Sequence, residues 1–300
     1  MRLLAVALVA TVLSGCTSPS GSGPETVGGP DVEAVTAALR ELDPCALLPD
    51  ADAPVRTGPF ACRVGDDPAL TVTLGVWLDP DVPREVIALG GVRAVSTSSD
   101  RHCATTLLTG ADLGIAFAAD TARTGLGGSL CALAEDGAIA AVDLLEKPER
   151  LAASGPRQDA CELLRRAGRD AGIDVTEDTE LRFGPNAGTG LGLCQARQAV
   201  DGGWRTRFSA RITHTRFGSI SNERPDVLDG RDVRVYDTGD GCEYGWRVRE
   251  SGETAPYADT VIQLRGDSCE EAAKLASALM PSDTDPSPSV APKRPIVLPA

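Results

Sequence analysis

The sequence predicts an α+β protein of two repeated domains, each an antiparallel sheet flanked by helices and stapled by two disulfide bonds. Eight cysteines fall into two sets of four that stand in similar contexts, which indicates an internal repeat. Between them, stretches of alternating hydrophobicity typical of strands are framed by stretches with helical periodicity. The length of 300 residues also favours two domains, because single hydrophobic cores rarely grow to that size.

The cysteine contexts recur in the same order along the chain. The first cysteine of each set, Cys45 and Cys161, follows an Asp by two residues and is itself followed two residues later by a Leu-Leu pair. The last cysteine of each set, Cys131 and Cys269, opens an alanine-rich segment of helical character. The two sets are Cys45, Cys62, Cys103 and Cys131, and then Cys161, Cys194, Cys242 and Cys269.

Setting Cys16 aside, eight of the nine cysteines remain. An even number in an exported chain predicts disulfide bonds, and zinc is not expected because close Cys-x-x-Cys pairs are absent. Pairing within each set is favoured, although three connectivities remain possible inside a set. We prefer the sequential pattern, in which each bond stabilises the fold by roughly 3 kcal/mol. It joins Cys45 to Cys62, Cys103 to Cys131, Cys161 to Cys194 and Cys242 to Cys269.

The amino terminus predicts a lipoprotein signal. An apolar run from Leu3 to Leu13 follows Arg2; it is too short for a membrane-spanning helix of roughly 20 residues but suits a signal peptide. The run ends in Leu-Ser-Gly-Cys, which resembles a bacterial lipobox whose cysteine, here Cys16, takes a diacylglycerol. We therefore expect a signal peptide at residues 1–15 and a flexible tether at 16–30, with the protein anchored at the outer face of the cytoplasmic membrane.

The rest of the chain is predicted to form domains at residues 31–149 and 158–281, joined by a linker within 146–158 and followed by a disordered Pro-rich tail at 282–300. In the first domain we expect helices at 31–42 and 131–145, a half-buried strand at 69–78 and strands at 103–109 and 114–118. In the second we expect helices at 159–171 and 269–280 and strands at 204–214, 233–236, 243–248 and 260–264. Each domain should pack its helices on one face of its sheet.

The lipobox, the Asp-Pro-Cys-Ala-Leu-Leu sequence at Cys45, the later cysteines and the alanine-rich final helix together resemble an actinobacterial lipoprotein family. This family is catalogued as domain of unknown function 3558. The resemblance covers two tandem copies, roughly residues 42–149 and 158–281, although the second has Ala160 where the first has Pro44. It implies a secreted protein and a fold, and implies little about mechanism.

The composition excludes some classes of function. A formal charge of −14 argues against nucleic-acid binding, which needs an excess of cations to neutralise phosphates. The basic residues are 26 arginines and three lysines, a bias that indicates a GC-rich and most simply an actinobacterial genome.

Candidates for catalysis are few, because the chain has only two histidines, His102 and His214. No Gly-x-Ser-x-Gly nucleophile sequence accompanies them. The glycine-rich stretch from Gly184 to Gly192 lacks the Lys-Ser/Thr of a phosphate-binding loop and is predicted to be a mobile loop. We therefore expect no catalytic residue, no metal and no cofactor.

One pattern points to binding. In the predicted strand 204–214, arginines alternate with an apolar side that includes Trp204, Phe208 and Ile212, and arginines of neighbouring strands face outward by the same counting. Such a face would suit bidentate capture of phosphate or carboxylate groups, although it could also be a solvated face neutralised by acidic residues. The six arginines are Arg205, Arg207, Arg211, Arg234, Arg247 and Arg249.

These features favour a non-enzymatic binding or accessory module that is anchored to the membrane and holds an anionic envelope component or a partner protein. One alternative is a hydrolase of envelope material, which would need a pocket that gathers His102 or His214 with a carboxylate and a nucleophile. A purely structural lipoprotein of a membrane complex is the other.

Overall fold

The computed structural model describes residues 32–48, 52–80, 82, 84–110, 112–145, 157–215, 217, 223–250 and 259–280. The predicted signal peptide, Cys16, the tether, the C-terminal tail and nearly all of the predicted linker lie outside these residues. The described part is an α+β protein with two antiparallel sheets of seven strands each.

The first sheet has the strand order β1-β2-β3-β7-β6-β5-β4, and α1 and α2 flank its strands in the chain. The helices are α1 (Val32–Glu41) and α2 (Gly127–Leu145), and a 3₁₀ turn spans Pro44–Leu47. The strands are β1 (Val55–Gly58), β2 (Ala61–Val64), β3 (Ala69–Trp77), β4 (Val86–Leu89), β5 (Val92–Ser99), β6 (His102–Gly110) and β7 (Leu113–Asp120).

The second sheet has the order β8-β9-β10-β14-β13-β12-β11, which is the order of the first sheet strand for strand. The helices are α3 (Ala160–Ala171) and α4 (Cys269–Leu279), and a 3₁₀ turn spans Gly190–Gly192. The strands are β8 (Glu180–Phe183), β9 (Leu193–Val200), β10 (Gly203–Thr215), β11 (Arg224–Leu228), β12 (Arg231–Asp237), β13 (Cys242–Glu250) and β14 (Asp259–Gly266).

Each sheet buries one face under helices, and local sequence explains how the helices fit. In α2, Leu130, Ala134 and Ala138 recur at helical spacing and enter the first core. Gly137 lets this helix approach the sheet, since a Cβ there would stand 3.0 Å from Leu70. Helix α3 begins where the Asp159 carboxylate accepts a hydrogen bond from the backbone N–H of Glu162 at 2.7 Å.

The disulfide bonds tie equivalent elements of the two sheets, in the sequential pattern that we preferred; below, each sheet with its helices is called a domain. One bond of each domain joins the segment before the sheet to its second strand, and the other joins the sixth strand to the closing helix. The bonds are Cys45–Cys62 and Cys103–Cys131 in the first domain, and Cys161–Cys194 and Cys242–Cys269 in the second.

Strand β3 is not half-buried as predicted, because all nine of its residues are buried. Strand β2 begins at Ala61 opposite Thr73, so the end of β3 extends past it and needs another neighbour. The second domain supplies this neighbour: the N–H of Trp77 donates to the carbonyl of Gly184 at 3.1 Å, and the N–H of Gly188 donates to Thr73 Oγ1 at 2.7 Å.

The first domain likewise supplies a neighbour to the end of β10. Strand β9 begins at Leu193 opposite Arg211, which leaves the end of β10 beyond it. There the hydroxyl of Thr213 donates to the carbonyl of Thr57 in β1 at 3.5 Å. The two domains therefore exchange edge segments at equivalent places of their sheets.

The glycine-rich stretch takes part in this exchange, so the prediction of a mobile loop was wrong. Leu191 is fully buried and belongs to the core of the first domain. It sits where Gly75 adopts a positive φ of 66°, and a Cβ at Gly75 would collide with the Leu191 side chain. Gly190 also has a positive φ, and a Cβ there would collide with the carbonyl of Leu74. These glycines make the close approach possible.

Polar groups clamp the same interface. The guanidinium of Arg157 donates to the backbone carbonyls of Leu42 and Pro59 and lies over the ring of Phe60, 5.3 Å from its centroid. Burial, followed by the nearby charge of Arg56, lowers the pKa of Arg157 to about 10. Arg40 reaches across to Asp159, with its Nε 2.6 Å from Oδ2 of the fully buried carboxylate that caps α3.

We expect Leu191→Ala to destabilise the protein by about 2–5 kcal/mol, because it removes a fully buried side chain and leaves a cavity in the first core. Val200→Ala, at a position 44% exposed in the same domain, is the matched control and should change stability by only about 0.5 kcal/mol. Equilibrium urea unfolding measures both. Similar stabilities for the two variants would contradict the insertion of Leu191.

Candidate functional site

The candidate site is the outer face of the second sheet, meaning the face opposite α3 and α4. Buried residues such as Phe208, Leu264 and Trp246 fill the core under the helices. Because side chains alternate along a strand, the residues between them, including Arg211 and Gln263, lie on the outer face.

Three of the six predicted arginines share this outer face. Strand register places Arg234 opposite Gly245, Gly245 opposite Gln263, and Gln263 opposite Arg211, so these four residues form one row across four neighbouring strands. Arg247 lies opposite Val261 in the next row.

A fourth arginine of this face, Arg265, was missed in the sequence. It lies opposite both Ser209 and Glu243. The alternation of Val261, Gln263 and Arg265 with apolar residues could have revealed it, but the predicted strand ended at residue 264.

The predicted positions of Arg205 and Arg207 were wrong. The pairing of β10 with β9 shifts between Thr206 and Phe208, which is a β-bulge that inserts an extra residue. The bulge reverses the alternation, so both arginines reach Asp267 just before α4: Arg205 Nη2 lies 3.0 Å and Arg207 Nε 2.7 Å from its carboxylate. This ion pair, chiefly through its hydrogen bond, raises the pKa of Arg207.

The β-bulge also changes the face of the sheet on which Trp204 lies. It was predicted on the apolar side with Phe208, but it is 50% exposed and on the outer face. The guanidinium of Arg197 lies 5.3 Å from the Trp204 ring and 5.7 Å from the ring of Trp77, which belongs to the first domain.

Arg249 is out of phase with Arg247. The register shifts between these two residues, so Arg249 lies opposite Thr260 while Arg247 lies opposite Val261. The side chain of Arg249 is outside the described part of the chain. Arg249 was predicted to share the face of the other arginines, and the register of the backbone contradicts this.

Acidic residues are interleaved with the arginines of the outer face. Glu243 accepts a hydrogen bond from the amide of Gln263 at 2.6 Å, and burial raises the pKa of Glu243 against the opposing charges of Arg211 and Arg265. Burial likewise raises the pKa of Glu223, opposed by Arg234. The outer face therefore carries arginines and carboxylates side by side.

On this face the arginines differ in how they are neutralised. Arg265 pairs with Asp240 at 2.6 Å, and Arg247 lies 3.8 Å from Asp259. Arg211 and Arg234, in contrast, have no carboxylate of the described residues within ion-pair distance, although Arg211 acts electrostatically on Glu243 and Arg234 on Glu223. Arg234 also lies over the ring of Phe217 at 5.6 Å. These two guanidiniums stand at the ends of the row through Gly245.

His102 meets one requirement of the hydrolase alternative. Its Nδ1 lies 2.6 Å from Asp120 Oδ1, and Ser99 is directly opposite His102 in the ladder between β5 and β6. The His102 and Asp120 side chains are 39% and 48% exposed, however, whereas hydrolytic triads work where water is excluded. The alternative stays a prediction.

His214 lies at the domain interface. Burial lowers the pKa of this half-buried imidazole, and the positive charges of Arg56 and Arg157 lower it further. The surroundings disfavour a charged imidazole, so the residue supports the interface in its neutral form at neutral pH.

Comparisons with known proteins do not identify the chain, since no family model, curated protein or solved structure matches it. Among the described residues, no helix has the length and apolar character of a membrane span. The same part of the chain has no cluster of three or more His, Cys, Asp or Glu side chains able to hold a metal ion.

We expect His214 to make stability depend on pH. Its pKa is lowered in the folded state, so below about 6.5 the unfolded chain takes up a proton that the folded protein resists. The free energy of unfolding should therefore fall between pH 7.5 and 5.5 more for the parent than for His214→Gln, by at most about 1.4 kcal/mol per pH unit. Urea unfolding at both pH values measures this, with His102→Gln as the matched control. Equal pH dependence of parent and His214→Gln would refute the effect.

Proposed function

We propose that this protein is a non-enzymatic binding lipoprotein, anchored through a lipid on Cys16 at the outer face of the cytoplasmic membrane. It holds an anionic envelope component, or a partner protein with anionic groups, on the outer face of its second sheet. The lipobox sequence and the four disulfide bonds, which suit an oxidising compartment, support the location.

We also propose that the two domains are copies of one ancestral unit of the kind catalogued as domain of unknown function 3558. Their shared strand order and their equivalent disulfide bonds support a duplication. After duplication the outer faces of the two sheets diverged, since the row of arginines described above lies on the second sheet.

The observation that carries the binding proposal is the row Arg234–Gly245–Gln263–Arg211. Three strand spacings separate the two arginines, about 14 Å along the sheet. Gly245 has no side chain between them, and the Gln263 side chain lies beside it, with Cγ 3.4 Å from where a Cβ would stand. Glycine inside a strand often marks a place that a ligand approaches closely. An anion over Gly245 would meet Arg234 on one side and the Gln263 amide with Arg211 on the other.

Two carboxylates belong to the same face as this row. Burial raises the pKa values of Glu223 and Glu243, while the charge of Arg234 lowers the first and the charges of Arg211 and Arg265 lower the second. Glu243 orients the Gln263 amide through its 2.6 Å hydrogen bond.

The test uses the unlipidated exported chain and vesicles of phosphatidylglycerol in phosphatidylcholine. Arg211→Gln/Arg234→Gln should weaken vesicle binding at least tenfold, because each lost charge-assisted hydrogen bond costs roughly 1.5–3 kcal/mol. The matched control is Arg205→Gln/Arg207→Gln, which removes the same charge from the same sheet but on the side that faces Asp267.

Co-sedimentation at low and moderate salt measures binding, and thermal melting confirms that both variants fold. The control should bind nearly as well as the parent. A parent that ignores anionic vesicles, or equal losses in the two variants, would overturn the proposed role of the row.

A further inference from the structure

The first domain contains a cavity of about 690 Å³ on the outer face of its sheet, opposite α2. Described residues between β3 and β4, from Leu78 to Pro80 together with Val82 and Arg84, form one side, and β4, β5 and the end of β6 form the floor. Its volume falls in the range of about 300–1,000 Å³ that is usual for small-molecule sites.

The floor of the cavity is apolar. Val86 of β4 lies opposite Val95 of β5, and Leu108 of β6 continues the surface. Val82 faces them from the connecting chain. Val82 and Val86 are 49% and 46% exposed and both line this one concave surface, whereas Val95 is almost fully buried beneath them. Apolar residues that stay exposed inside a concave site indicate a surface for an apolar ligand.

Two arginines line the same cavity. Arg93 lies opposite Ala88 in the ladder between β4 and β5, and Arg84 precedes Val86 by two residues. Arg84 donates to the backbone carbonyl of Asp79 at 2.7 Å. Neither guanidinium forms an ion pair with a carboxylate among the described residues, although Asp79 and Asp112 also belong to the cavity wall.

We infer that this cavity binds a single-chain anionic amphiphile, an acyl chain that ends in a carboxylate. The acyl chain covers the valine and leucine floor, and Arg84 and Arg93 hold the carboxylate by charge-assisted hydrogen bonds. The exposed apolar residues of the cavity complement the acyl chain. Its two arginines, which form no ion pair among the described residues, complement the carboxylate. This site lies in the other domain from the row through Gly245, so it stands independently of the proposed function.

Isothermal titration calorimetry with the unlipidated exported chain tests the site, using octanoate, decanoate and dodecanoate below their micellar concentrations. Dodecanoate should bind one molecule per chain, and affinity should fall about two- to fourfold for each methylene removed. Acetate, which has the carboxylate alone, and decanol, which has the chain alone, should each bind at least tenfold more weakly than decanoate.

Arg84→Gln/Arg93→Gln should weaken dodecanoate binding at least tenfold. The matched control is Arg101→Gln/Arg123→Gln, which removes two exposed arginines of the same domain at the opposite end of β5 and β6 and should stay within twofold of the parent. Val86→Asp changes an exposed floor residue and should also weaken binding while the thermal melt is unchanged.

Three results would overturn the inference. They are a parent that does not bind dodecanoate, an equal loss in the arginine variant and its control, and acetate affinity equal to that of dodecanoate. Dodecyl phosphate binding much more tightly than dodecanoate would overturn the choice of a carboxylate head group. Loss of vesicle binding in the Arg211→Gln/Arg234→Gln variant with dodecanoate binding intact would separate this site from the other.

Discussion

The fold depends on an exchange of edge segments between its two domains. Strand β3 extends past β2 and is completed by residues 184–192, while the end of β10 extends past β9 and meets Thr57 of β1. A sheet edge left open exposes unpaired backbone groups, which invites aggregation. Here each domain covers the edge of the other, and Leu191 adds apolar burial where the backbones come closest. The clamp from Arg157 to the carbonyls of the first domain closes the same interface.

Local sequence patterns were enough for much of the fold. The helical periodicity of 131–145 reappears in α2, because its apolar residues enter the core at helical spacing, and the predicted strand 114–118 lies within β7. The predictions that were wrong or missing concern elements whose position depends on contacts distant in the sequence or on irregular backbone. The short edge strands β4 and β11 have no strong alternation to detect, and the docking of residues 184–192 is decided by a surface far away in sequence. The bulge at Arg207 adds a single residue, and a period of two cannot reveal it.

The same bulge decides what part of the candidate site could be predicted. Three of the six arginines lie on the outer face because their strands alternate regularly around those positions. Arg205 and Arg207 instead bind Asp267 just before α4, so the anion site that we propose is a smaller set, Arg211 and Arg234. These two arginines lie on a face that also carries Glu223 and Glu243.

We expect the exchanged segments to make the two domains one cooperative unit. Differential scanning calorimetry of the exported chain tests it most directly, because two-state unfolding gives a calorimetric enthalpy equal to the van't Hoff enthalpy. If each sheet needs the other domain to complete it, the chain should unfold in one transition with a ratio of these enthalpies near one. Two resolved transitions, or a calorimetric enthalpy about twice the van't Hoff value, would show that the domains unfold independently and would contradict the claim.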